Sequence, residues 1–172
     1  MNKIILKYIL SFVLIVLAQV FVFNKINMFG FISPMIYIVF IFSLPFKTMR
    51  WLVVLLGFLT GLVLDSFTGV IGIHSIATLI IAFARPFIIR TITLRVELED
   101  HLLPVLQDMK FAWYLQYAFL LTFIHHSVYF FADVLSFENF GRTMIVILAN
   151  TAFSLICIFL IQLLFYKASK RY

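Results

Sequence analysis

The sequence predicts an all-α, polytopic membrane protein with six transmembrane helices and both termini in the cytoplasm. Composition, the spacing of apolar runs and the distribution of basic residues carry that prediction. Of 172 residues, 65% are hydrophobic and only 12% charged, with a mean hydropathy of +1.15. Soluble domains run near ~45–50% apolar and ~25% charged, so an ordinary water-soluble fold is excluded. The 22 Phe and 18% aromatic content are equally far from a disordered composition. A helical span takes ~20 mostly apolar residues, so six spans use ~120 residues and leave ~50 for ends and loops. That remainder is too small for a separate soluble domain.

Residues 1–172 therefore read as one transmembrane domain, with spans at about 4–23, 30–46, 49–66, 73–89, 111–131 and 143–165. The first follows Lys3 and Lys7 and resembles a signal peptide. It runs through Phe23 without a small-residue cleavage site, and is expected to be retained. Asn24-Lys25-Ile26-Asn27, Gly30 and Pro34 close it. The second span is short: Pro34 to Phe46 as a helix covers only ~18 Å of a ~30 Å hydrocarbon core. It must borrow Phe29–Ser33, thin the bilayer or cross in part. The third ends on Asp65, about 21 Å from its start, just below the outer interface. The fourth contains Arg85-Pro86, and the mixed-charge segment Arg90–Lys110 leads to the fifth and sixth.

Orientation follows from charge. With six spans and the N-terminus inside, Lys3, Lys7, Lys47, Arg50, Arg90, Arg95, Lys110, Lys167, Lys170 and Arg171 are cytoplasmic. Only Lys25 and Arg142 lie outside, and Arg85 sits within the fourth helix. This positive-inside bias accounts for the net charge of +6 without a nucleic-acid partner. Cys157 is the sole cysteine, so no internal disulfide or cysteine metal cluster is available.

The densest signal lies between Gly57 and His74. Gly57, Gly61 and Asp65 recur at i, i+4, i+8 and share one helix face, a small-residue seam that admits a neighbouring helix or a partner. Gly69 and Gly72 suit a tight outer turn, with His74 beyond it. A carboxylate within a span is costly, so Asp65 needs partners. His74 and the free N–H groups opening the fourth helix are nearest. A structural cap, a proton or ion site, and catalysis are the three roles open to it.

Ser75, Thr78, Ala82 and Arg85 line one face of the fourth span. Arg85 is expected either to snorkel to the cytoplasmic surface or to make a buried ion pair or partner contact. His125-His126 point ~100° apart and lack the i, i+4 spacing of a helical zinc pair; an interfacial or interhelical hydrogen bond fits better. Gln19, Asn150, Ser154 and Cys157 read as packing positions. No G-x-S-x-G, P-loop or dinucleotide loop occurs, so neither enzymatic activity nor a cofactor or metal is expected.

The stretch from Pro34 through Gly57-Phe58-Leu59-Thr60-Gly61-Leu62-Val63-Leu64-Asp65 and Gly69-Val70-Ile71-Gly72-Ile73-His74 resembles the rod shape-determining protein MreD family. Gln19 and Pro34 also match family positions, whereas Met35 stands where an acidic residue is frequent. The resemblance covers about Gln19–Arg90. It implies a non-catalytic scaffold of the bacterial elongation machinery in the cytoplasmic (inner) membrane, supporting peptidoglycan synthesis and rod shape. The partners it implies are an MreC-like single-span protein, the MreB cytoskeleton, RodA and a class B penicillin-binding protein, within membrane lipid. The alternative is the substrate-binding subunit of an energy-coupling-factor vitamin transporter, a six-helix protein of similar size and charge bias.

Overall fold

The computed structural model describes residues 3–70, 72–93, 102–135 and 139–164. Among the described residues, five long α-helices and one short one, with a 3-10 turn at Phe23–Lys25, make up the fold: α1 (Lys3–Phe21), α2 (Val39–Phe42), α3 (Arg50–Thr68), α4 (Ile73–Ile92), α5 (Phe111–Val134) and α6 (Phe140–Leu164). No strand occurs among the described residues; Met28 and Ile32 form a lone bridge. Four helices are long and apolar enough to cross a membrane: α1 with its extension (Leu6–Lys25), α3, α4 and α6. At 24 residues α5 is equally long, but its tyrosines, histidines and Gln116 make it less apolar. By length and composition these helices are compatible with a multi-pass membrane protein.

Helices α3 and α4 form a tight antiparallel hairpin. Gly69 caps α3 in the left-handed region (φ 71°), and its N–H bonds the Asp65 carbonyl. Gly72, also left-handed (φ 85°), precedes α4; a side chain with a Cβ is strained at both positions. Helix α5 packs antiparallel to α4, and α6 to α5. The 69–72 turn, the end of α1, the end of α5 and the start of α6 therefore share one end of the bundle.

The second predicted span departs from expectation. Instead of a helix over 30–46, only Val39–Phe42 is helical, and the rest of 33–46 runs as irregular backbone through the middle of the bundle. Its upper half bonds Gln19, near the end of α1, and its lower half bonds Arg85 and Tyr117, toward the opposite end. The irregular parts rise further per residue than the ~1.5 Å of an α-helix, so the segment reaches further than a helix of the same number of residues would. Residues 34–42 and 44 are all buried. Tyr37, Ile38, Val39 and Phe42 pack with Leu64, Ile81, Tyr114, Tyr117, Leu121 and Ile158 into the main core. The helices thus wrap a central strand of chain rather than one another alone.

The described basic residues divide by end. Lys7, Lys47, Arg50, Arg90 and Lys110 lie toward the end opposite the 69–72 turn, whereas Lys25 and Arg142 lie at the turn's end. Arg95 and the basic tail from Lys167 fall outside the described residues.

Candidate functional site

The site is built from polar side chains that the helices carry inward. Asp65 is 7% exposed and points along the hairpin at the first turn of α4. Its Oδ1 accepts the His74 backbone N–H at 2.9 Å. Oδ2 accepts the Ser75 N–H at 3.0 Å and the Ser75 hydroxyl at 2.5 Å. Gly72 stands at the N-cap position and has no side chain to cap with. Asp65 supplies the missing acceptor from the preceding helix, where the helix dipole also favours an anion. This geometry is that of the structural cap.

The Gly57/Gly61 seam is closed by α4 of the same chain. A Cβ on Gly57 would lie 2.7 Å from Ala82 Cβ and 2.9 Å from the Thr78 carbonyl. On Gly61 it would lie 2.5 Å from the His74 carbonyl and meet Ser75 and Thr78 as well. The seam therefore serves packing between α3 and α4 and is not a free face for a partner. Thr78, on the opposing face, turns its hydroxyl back to the His74 carbonyl at 2.6 Å.

Arg85 does not snorkel. It is 3% exposed and turns inward: Nε donates to Tyr117 Oη at 2.8 Å, and Nη2 donates to the Leu44 carbonyl. Tyr117 in turn donates to the Phe42 carbonyl at 3.2 Å. An ion pair with a carboxylate is not what holds Arg85 among the described residues; the backbone of the central segment is.

The packing positions share that role. Gln19 receives the Ile36 and Tyr37 N–H groups on Oε1 (2.7 and 3.2 Å) and donates through Nε2 to the Pro34 carbonyl and Asn24 (3.0 and 2.7 Å). Asn150 accepts the Ser33 N–H at 2.8 Å and donates to the Phe31 carbonyl at 2.9 Å. Ser154 accepts the Met35 N–H at 3.0 Å. Irregular backbone survives at membrane depth only where protein satisfies its polar groups, and these side chains do so.

Tyr37, not singled out in the sequence, is the hub. Its hydroxyl meets His74 Nδ1 and His125 Nε2, each at 2.8 Å. A phenol has one proton, so it donates to one imidazole and accepts from the other. His126 continues separately, with Nδ1 at 2.8 Å from the Thr122 carbonyl and Nε2 at 3.2 Å from Ser154. His126 thus makes an interhelical bond, to Ser154 on α6, whereas His125 bonds Tyr37 of the central segment. The His74–Tyr37–His125 chain ends at His125 Nδ1, which is buried without a partner. The two imidazoles hold the Tyr37 hydroxyl from either side.

No protein-family model, curated protein or solved structure matches the chain. The site stands on its own geometry. At the turn's end a cavity of about 350 Å³ opens beside it, lined by Gln19, Asn24, Ser33, His74 and Tyr129 among others. Nothing in the sequence pointed to Tyr37: a lone tyrosine in an apolar run carries no spacing signal, and its two partners lie 37 and 88 residues away. His74 and the adjacent His125-His126 pair were the visible traces.

Proposed function

We propose that the chain is a non-catalytic scaffold of the cytoplasmic membrane. In this reading it crosses the bilayer six times, five times as a helix and once as the buried 33–46 segment. Both termini face the cytoplasm. It docks partner membrane proteins of the cell-elongation machinery, as the MreD resemblance implies, and so supports peptidoglycan synthesis and rod shape. An MreC-like single-span protein is the first partner to seek; the MreB cytoskeleton, RodA and a class B penicillin-binding protein follow.

One observation carries the reading. Five polar groups within the apolar helices, Gln19, Asp65, Arg85, Asn150 and Ser154, bond the chain's own backbone. Such groups mark a relay or substrate path by default; here each of them braces the core through at least one bond to backbone. A rigid body with apolar outer faces suits a docking role. The one-sided basic residues support the orientation.

Two measurements test it. Depletion should round a rod-shaped host and disperse wall synthesis; unchanged shape would remove the proposal. Photo-crosslinkers at Leu10, Leu14 and Leu17 on α1, and at Phe58 and Leu62 on α3, stand on exposed apolar faces. In native membranes at least one should capture a single-span protein, and capture of lipid alone from all five would count against docking by these faces. The transporter-subunit alternative is favoured by the polar cavity beside His74 and Tyr129. It predicts a vitamin retained through purification, or calorimetric binding from a vitamin panel that is lost in Asn24→Leu.

A further inference from the structure

At the end of the bundle opposite the 69–72 turn, a second cavity of about 530 Å³ opens between α3, α4 and the close of the central segment. Three arginines line it, Arg50, Arg85 and Arg90, together with the hydroxyls of Thr48 and Thr93. No acidic residue lines it among the described residues. Arg85 is the informative member. It is 3% exposed, yet among the described residues two of a guanidinium's five donors are engaged, by Tyr117 and by Leu44. Neither partner carries a charge. A buried cation without a counter-charge is costly in a membrane, and Tyr117 and Leu44 hold this one where it borders an open cavity.

We propose that this cavity binds the phosphodiester headgroup of an anionic membrane lipid. Guanidinium forks match phosphate oxygens bidentately, and hydroxyls such as those of Thr48 and Thr93 are suited to the remaining oxygens. The other walls are apolar, among them Phe46, Pro86 and Ile89. They suit the glycerol and first methylenes of a lipid better than a fully hydrated ion. The site also lies at the end where basic residues collect, which is where anionic headgroups are drawn. The proposal rests on residence in a membrane and not on any role in cell shape.

The test uses the full chain, purified and delipidated in a neutral detergent. Arg85 also braces the core, so the variant is Arg50→Gln with Arg90→Gln; both side chains are exposed. Phosphatidylglycerol should raise the melting temperature by about 5 °C or more over an equal amount of phosphatidylcholine, and the double variant should lose at least half of that difference. Lys7→Gln with Lys110→Gln, basic residues of the same end outside the cavity, should keep it. An equal loss in both double variants would reveal diffuse surface charge and overturn the site. So would equal shifts with the two lipids, or an undiminished shift in Arg50→Gln/Arg90→Gln. If millimolar inorganic phosphate reproduces the full shift, the ligand is a soluble anion and the lipid assignment is wrong.

Discussion

Asp65 and Gln19 show what a single polar side chain does within an apolar helix. Asp65 takes three donors from the first turn of α4. In Asp65→Ala the His74 and Ser75 N–H groups lose their acceptor, at about 1–3 kcal/mol for each buried donor. Unfolding of the detergent-solubilised protein should shift by about 2–5 kcal/mol, with Asp65→Asn in between because one acceptor oxygen remains. Equal stability of Asp65→Ala and the parent would remove the capping role. Gln19→Ala orphans the Ile36 and Tyr37 amides in the same way. Hydrogen exchange should quicken at those two positions first, while amides within α3 and α4 keep their protection. Sequence reasoning located both residues, since polar groups in apolar runs stand out. It assigned Asp65 its neighbours correctly, because His74 and Ser75 follow within ten residues. Gln19 read as a packing position, because its true partner was backbone in another segment.

Among the elements, the α3–α4 hairpin was the most legible. Gly57, Gly61 and Asp65 at fourfold spacing define one face, and the face opposite holds Ser75, Thr78 and Ala82. Spacing cannot say whose helix fills a seam, and here the chain fills its own. Gly61→Ala should therefore destabilise the fold by about 1–3 kcal/mol, with Gly57→Ala milder, as read by thermal or denaturant unfolding. Its added Cβ meets backbone, which does not give way as a flexible side chain would. If Gly61→Ala leaves stability intact but abolishes partner capture, the seam is an interface after all. The segment 33–46 was legible only as an anomaly of length. Apolar runs look alike whether helical or buried in irregular form, and the groups that satisfy its backbone lie as far as 119 residues away.

At the scale of the molecule, the five long helices place the described basic residues mainly at one end, as the charge pattern anticipated. Cysteine labelling tests the orientation, with native Cys157 first replaced by alanine. Met49→Cys, exposed beside Arg50, should react only when the reagent reaches the cytoplasmic side; Phe29→Cys, 81% exposed, should react from outside. Cysteines at Ile38 or Ile41, both fully buried, should label from neither side. Labelling of Met49→Cys and Phe29→Cys from one side would mean that 33–46 enters and leaves on the same face. Helix positions needed only run length and period, whereas the polar lattice joining α1, α5 and α6 to the central segment needed three dimensions.

That lattice also imposes an order on biogenesis. Ser33 and Met35 leave the ribosome 117 and 119 residues before Asn150 and Ser154, the groups that satisfy them. At ~5–20 residues per second the central segment waits on the order of ten seconds for its supports. A nascent chain stopped before α6 has no Asn150 or Ser154 to offer, and is a natural substrate for membrane quality control. Helix α6, the last of the described helices, carries the groups that hold the 33–46 segment in place.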